Sequence, residues 1–447
     1  MFRRMILPGS ITLYLLCTLS ACKDTSALME ITTTSPSAPR RMAISPDTSK
    51  LYIGDSTVLQ ASFVDAAGNQ TESALVTWTV SDTAVARISP GGTLKAVQTG
   101  VATVTAQLND ASKTAQVWVV PRDSASASKT DSGSSTAMLP ASCQARKFAR
   151  LVRVSSGDML TDAILNARPG DLIVLDDATY RFAYSDGQLG QFVISISGTQ
   201  AQRITMCGSP QAVIYGGSLT GYDGIKLNAS YWTLAGFTIT HALRAIITVG
   251  ANHDSISGLT IHGIGQEAVA IQAFSSFNTI ENNHIYDTGI AVPVWGEGIY
   301  IGTPPEYWCT YTACQPDKSD SNFVIGNTIG PDVRAEHIDV KAGTTGGSII
   351  NNTFDGTGMI LQPNDVNSWV VIAGVGYTID GNHGVNALLY GFKVEIPGAN
   401  NIFSKNVVDV RGSGYGFRIA PETTGNILRC DNVVLNAQSG FANVRCQ

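Results

Sequence analysis

Charge is what this chain has little of. Of 447 residues, 29 are lysine or arginine and 35 are aspartate or glutamate, 14% in all, with a formal net charge of −6. Without a basic excess there is no electrostatic footprint for nucleic acid, which is excluded as a partner. Large apolar residues are nearly missing from residues 121–142, PRDSASASKTDSGSSTAMLPAS. That stretch has no core to pack and reads as a flexible linker. Glycine is plentiful at 44 residues and apolar residues make up 44%, a balance that suits a β-rich secreted protein. The length allows two or three domains.

Cysteine is sparse. Cys17 falls in an N-terminal signal, where Arg3 and Arg4 precede an apolar run over residues 11–19. The stretch LSAC, residues 19–22, resembles the lipobox of bacterial lipoproteins. The resemblance implies that Cys22 is acylated and becomes the first residue of the mature chain, held firmly because it carries more than one acyl chain. Lys23 stands where an inner-membrane retention aspartate would be, so the expected location in a Gram-negative source is the cell envelope, anchored at the outer membrane. Six cysteines remain: Cys143, Cys207, Cys309, Cys314, Cys430 and Cys446. An even number in an oxidising compartment reads as disulfides rather than a zinc site. Sequence order suggests 143–207, 309–314 and 430–446, among about fifteen connectivities.

After a tether at 23–41, residues 42–120 read as short strands separated by turn signals, the spacing of a β-sandwich. The runs VTWTVSDTAVARIS and GTLKAVQTGVATVTA resemble the bacterial Ig-like domain of group 2. The resemblance makes Trp78 a core residue. The segment holds no cluster able to do chemistry.

Residues 143–447 repeat. An aliphatic residue is followed three positions later by asparagine in NTIENNHI, NFVIGNTI, GSIINNTF, YTIDGNHG and NIFSKNVV. The aligned aliphatics are Leu234, Ile256, Ile280, Val324, Ile349, Ile379, Phe403 and Leu428, spaced by 22, 24, 44, 25, 30, 24 and 25 residues. Those are turn lengths of a parallel β-helix with one large insertion. Asn283, Asn327, Asn352, Asn382 and Asn406 are read as a structural stack at turns. The opening SSGDMLTDAILNARPGDLIVL predicts a serine-capped helix with Leu160, Ile164 and Leu165 on its apolar side, covering the open end of the solenoid. Opening and coils together resemble the pectate-lyase-like right-handed β-helix superfamily. The expected fold is therefore all-β: an Ig-like β-sandwich followed by a right-handed parallel β-helix with an N-terminal capping helix.

Each coil has a second strand signal: EAVAIQ, EGIYIG, EHIDVK, YGFKVE and YGFRIA, with SWVVIA fitting less cleanly. Stacked, they put Glu267, Glu297 and Glu336 in one column, on rungs ~4.8 Å apart. Like charges that close repel by about 3 kcal/mol at an effective dielectric near 20. Raised carboxylate pKa values or a bound cation would offset this, and stacked carboxylates, with Asp339 as a fourth ligand, suit Ca²⁺. Strict alternation would turn residue 336 inward with 338 and 340, so a bend must precede that strand.

The spacing from Glu336 to Lys341 resembles the chondroitinase-B and alginate-lyase family. The resemblance makes Glu336 a calcium ligand and Lys341 the base; a divalent cation and another amine nearby would lower the lysine's pKa and make it usable as one. Two departures stand out. Arg334 replaces that family's second glutamate, and no arginine lies between residues 362 and 373, which leaves Lys393 or Arg418 farther along the column. Tyr300, His337 and Arg418 are the candidates to protonate or stabilise the leaving oxygen. Lys393 and the insertion's Trp295, Tyr307 and Trp308 are candidates to hold sugar. The reading is a lipid-anchored, calcium-dependent lyase on an acidic polysaccharide, expected to be a monomer. A surface adhesin or glycan-binding lipoprotein, a glycoside hydrolase and an epimerase are the alternatives. A hydrolase needs a carboxylate pair, which Glu297 with Glu336 or Asp339 could supply, although no Asp-Asp run resembling the polygalacturonases is present.

Overall fold

The structure is a computed structural model, and it describes residues 41–52, 56–64, 70–72, 76–108, 111–120, 139–144, 146–182, 190–361 and 368–447. The signal, Cys22, the tether and most of the Ser-rich linker lie outside the described residues.

Alternating side chains build the first unit. Along Gly100–Leu108, Ala102, Val104 and Ala106 are buried while their neighbours face outward. This strand sits in a four-stranded sheet ordered Thr48–Tyr52, Ala111–Val120, Gly100–Leu108, Thr77–Val80, and two three-stranded sheets complete the sandwich. Leu59, Leu94, Val104 and Val117 form its centre. Trp78 packs against that core but is only partly buried, because its strand, Thr77–Val80, is the edge of its sheet.

The rest is a right-handed parallel β-helix of three long sheets with eleven, ten and ten strands. The first sheet holds the aliphatic column in register. Leu234, Ile256, Ile280, Val324, Ile349, Ile379, Phe403 and Leu428 are consecutive Cα partners. Seven of these side chains are fully buried and Leu428 keeps 3% exposure. Burial of each contributes about 1.5–3 kcal/mol.

The asparagine stack is buried beside this column. Each Nδ2 donates to the Oδ1 of the next coil's asparagine, from Asn283 through Asn327, Asn352, Asn382 and Asn406 to Asn432. Each Nδ2 also donates to a backbone carbonyl. Each of these Oδ1 atoms also accepts the backbone N–H of the preceding coil's asparagine, a corner group beyond the reach of the strand ladder, so the role of the stack is structural.

The capping helix spans Gly157–Leu165, and Ser156 Oγ accepts the N–H of Met159. Leu160, Ala163 and Ile164 are buried, while Leu165 is partly exposed. The helix packs on Arg150–Val154, Thr179–Tyr180 and Phe192–Ile194, the first strand of each sheet, so it closes the end of the stack. The disulfides are 143–207, 309–314 and 430–446, the order suggested by sequence.

Candidate functional site

The third sheet carries the site. Its interior positions run in register from Ile246 through Val269, Ile299 and Ile338 to Val370 and Phe392. The coil with SWVVIA is threaded in register like the others. Two positions before these interior residues stand Arg244, Glu267, Glu297 and Glu336, so the glutamate column exists and has an arginine above it. Ile225, which pairs with Ile246, extends it to Asp223. Arg244 Nε lies 2.7 Å from Asp223 Oδ1.

The bend before the strand is present, and it separates neighbours that sequence had grouped. Glu336 and Asp339 both line one cavity of about 710 Å³, together with Glu267, Glu297, Tyr300 and Lys341. His337, between them, turns into the coil. It is fully buried, its ring packs edge-on against core Phe354 with centroids 5.7 Å apart, and Nε2 lies 2.9 Å from the Asp355 carbonyl oxygen. Burial lowers its pKa to about 4. His337 therefore cannot meet a substrate, and its expected catalytic role is corrected to a packing one.

Glu297, Glu336 and Asp339 each place a carboxylate oxygen within 4.8 Å of the others. All three are almost fully buried, at 4%, 3% and 2% exposure. Glu297 Oε2, Glu336 Oε1 and Asp339 Oδ1 have no hydrogen-bond partner. Burial, followed by the Asp339 charge, pushes Glu336 up to about 8. Glu297 is pushed well above the usual carboxylate range by burial, then by Glu267, Glu336 and Asp339. Buried oxygen donors left unsatisfied and crowded together fit a hard divalent cation. Glu267 lines the cavity, with burial raising its pKa and Arg244 lowering it, but it lies outside the three-carboxylate group.

Lys341 Nζ is 2.5 Å from Asp339 Oδ2 and 5.0 Å from the centroid of the Tyr300 ring. Burial works against the lysine's charge. Asp339, with Glu297 and Glu336, outweighs it and holds Lys341 above its ordinary range. The lowered pKa expected from the sequence is thus reversed, because the nearest partner is an acid and not another amine. Tyr300, 6% exposed, is kept neutral by burial and by the neighbouring carboxylates of Asp339 and Glu297.

The cations expected farther along are not in this cavity. Asp339 pairs with Val371, Val371 with Lys393, and Lys393 with Arg418. Lys393 is two rungs away, with Glu395 2.8 Å from its amine, and Arg418 is three rungs away, ~14 Å. Apolar Val371 interrupts the column, so neither residue lines the site with Lys341. Arg334, where the resembling family has a glutamate, donates to Asp287 and to the Thr288 carbonyl. The arginine that does line the cavity is Arg244. Its signal was legible in RAIITV, which aligns with EAVAIQ one coil later.

The insertion supplies the rim. Trp295, Tyr307 and Tyr311 line the cavity and are 51%, 47% and 59% exposed. Trp308 does not line it. Its indole donates to the Thr303 carbonyl and lies over Gly343, where a Cβ would come within 3.2 Å of the ring. Asp317, fully buried, fixes the base of the insertion by accepting the N–H groups of Ala273 and Phe274 and the hydroxyl of Thr303.

Residues 40–119 match the bacterial Ig-like domain (group 2). No curated protein matches the chain. Among solved structures, the alginate lyase from Paenibacillus sp. str. FPU-7 is 31% identical, with a TM-score of 0.58, over 66% of this chain and 99% of that one. The chain belongs to the family of that protein. A pectate lyase shares 17% identity over 67% of this chain and 80% of that one, with a TM-score of 0.48.

Proposed function

We propose that this protein cleaves an acidic polysaccharide by β-elimination at the cavity on the third sheet. The observation that carries the reading is the grouping of three buried carboxylates with unpaired oxygens, a lysine and a neutral tyrosine in one cavity rimmed by exposed aromatic rings. Membership in the family of an alginate lyase makes alginate, a polymer of uronates, the first substrate to test.

Glu297, Glu336 and Asp339 would hold a divalent cation, with Ca²⁺ suited to their hard oxygen donors. When bound, the cation would supply positive charge against a substrate carboxylate and make the adjacent C–H more acidic. Lys341, the one amine among the described residues that line the cavity, would take that proton. It can do so only when Asp339 no longer holds its charge, so its role depends on Asp339 being engaged elsewhere, as a metal ligand is. Tyr300, neutral and beside Lys341, would protonate the leaving oxygen. Arg244 sits at the far end of the carboxylate column, where it can meet a second substrate carboxylate. Trp295, Tyr307 and Tyr311 offer flat faces to sugar rings.

The deciding assay is a panel of uronate polysaccharides with calcium and with chelator, read by the ultraviolet absorbance of an unsaturated uronate. An active substrate giving only saturated ends would replace elimination by hydrolysis. Activity towards none of the panel would favour the adhesin reading.

Calcium has its own readout. A ligand that binds only the folded state stabilises it by mass action, by about 2.7 kcal/mol at a hundredfold excess over Kd. Titrated calcium should therefore raise the Tm, and the double substitution Glu297→Gln with Glu336→Gln should abolish the rise. An unchanged Tm in the unsubstituted protein would leave the three carboxylates as protonated structural groups.

We also propose that the chain is lipid-anchored in the cell envelope, on the strength of LSAC at residues 19–22. Cys22→Ala should release the protein from the membrane fraction without acyl chains. An alanine variant that still fractionates with membranes and carries lipid would overturn the anchor.

A further inference from the structure

A second cavity, of about 450 Å³, lies on the first sheet and shares no residue with the catalytic one. Arg146, Lys147, Phe148, Gln202, Arg203 and Thr233 are among its walls. In a chain with only 29 lysines and arginines, three cations on one small groove is a concentration that needs a cause.

Several cations elsewhere on the β-helix are paired with acids, whereas others, such as Arg181, Lys318 and Arg418, stand singly among the described residues. Arg150, Arg153, Arg244, Arg334 and Arg411 each pair with an aspartate. Among the described residues, no carboxylate is in ion-pair contact with Arg146, Lys147 or Arg203. Both guanidinium groups are instead fixed by neutral oxygens. Arg203 donates to Thr233 Oγ1 at 3.2 Å and to the Trp232 carbonyl at 2.5 Å, and Arg146 Nε donates to the Ser142 carbonyl at 2.9 Å. These contacts orient the groups and leave other N–H donors unused, which is how an anion site is preorganised.

Asp254 is the acid whose charge acts most on Arg203, and Glu281 acts on Arg146, but neither is in ion-pair contact with the groove's cations. The Asp254 carboxylate is buried and accepts the Trp232 N–H at 2.6 Å, and burial pushes its pKa up to about 8. Phe148, 38% exposed, adds an apolar face to the groove.

We propose that this groove is a second binding site for an anionic polysaccharide, taking its carboxylates on Arg146, Lys147 and Arg203 and a sugar face on Phe148. The inference rests on the uronate reading of the catalytic cavity for its ligand class, but not on catalysis. Its role would be to hold polymer on the solenoid away from the cutting site.

The test is affinity electrophoresis in gels containing alginate, using the Lys341→Ala protein so that the polymer stays intact. Retardation by alginate should fall at least tenfold in apparent affinity when Arg146→Ala and Lys147→Ala are added together. Lys147→Glu alone, at an exposed position that cannot disturb folding, should produce a loss in the same direction. Alginate retardation unchanged in both variants would overturn the proposal. Equal retardation of the parent by dextran sulfate would also overturn it, by marking the groove as a plain ion-exchange surface. Because binding is read without turnover, an unsubstituted protein that shows no lyase activity, while the Lys341→Ala protein still binds alginate through this groove, would sink the lyase reading and leave this one standing.

Discussion

Lys341→Ala should remove nearly all lyase activity and leave the fold intact. General acid–base catalysis contributes about 10² to 10⁴ in rate, so kcat should fall within that span while KM changes little. The fold should survive because the interior residues just before it, Ile338 and Val340, carry the packing, whereas Lys341 faces the cavity. Removing the amine does leave Asp339 without its 2.5 Å partner, and that acid sits among two glutamates. Some loss of Tm in chelator, recovered with calcium, is therefore expected of the variant. Near wild-type cleavage by Lys341→Ala would end the assignment of the base. Tyr300→Phe gives an independent check. It should be comparably slow if the phenol donates a proton, and nearly unaffected if the ring only supports the lysine.

Asn352→Leu is expected to be the most damaging single change to stability. Asn352 Nδ2 donates to the Val324 carbonyl and to Asn382 Oδ1, and its Oδ1 accepts from both Asn327 N and Asn327 Nδ2. Leucine is close in size but returns none of these bonds. The Asn327 N–H and one hydrogen of the Asn327 amide would be left buried without partners, and the Val324 carbonyl would lose its second donor while keeping its place in the strand ladder. At about 1–3 kcal/mol for each of these two unsatisfied donors, the loss should be roughly 2–6 kcal/mol. That is comparable to the whole net stability of many domains, about 5–15 kcal/mol. Chemical denaturation should show a large fall in midpoint, and proteolysis should find new sites in the coils around residue 352. In a solenoid each coil leans only on its neighbours, so the damage should be local first. A loss under about 1 kcal/mol would mean that water or a shifted backbone replaces the ladder.

Several parts of this architecture could be read from residues alone, for an identifiable reason. In a β-helix the same backbone position recurs every coil, so an apolar column such as Leu234 to Leu428 is written in the sequence as a period. The asparagines three residues later mark the corner that follows. Glu267, Glu297 and Glu336 were visible by the same logic, because each stands two places before an interior aliphatic.

What the period does not encode is direction at the corners. His337 and Glu336 are adjacent and equally polar, yet one enters the core and the other the cavity, because the chain bends between the corner and the strand. Trp308 and Tyr307 are adjacent in the insertion, and only the tyrosine reaches the cavity, since the indole hydrogen bond to the Thr303 carbonyl draws the tryptophan against Gly343. Lys393 and Arg418 share Asp339's column, but rung spacing puts them too far along it.

The sequence by itself determined the architecture, the asparagine stack and the carboxylate column, since each is a repeated local choice reinforced by burial. Only the tertiary structure decided which charges meet. Side chains two or more coils apart come together, or fail to, through corner geometry and the path of one insertion. These turned His337 into the core, kept Lys393 and Arg418 out of the cavity, and left Arg146, Lys147 and Arg203 without an ion-paired acid.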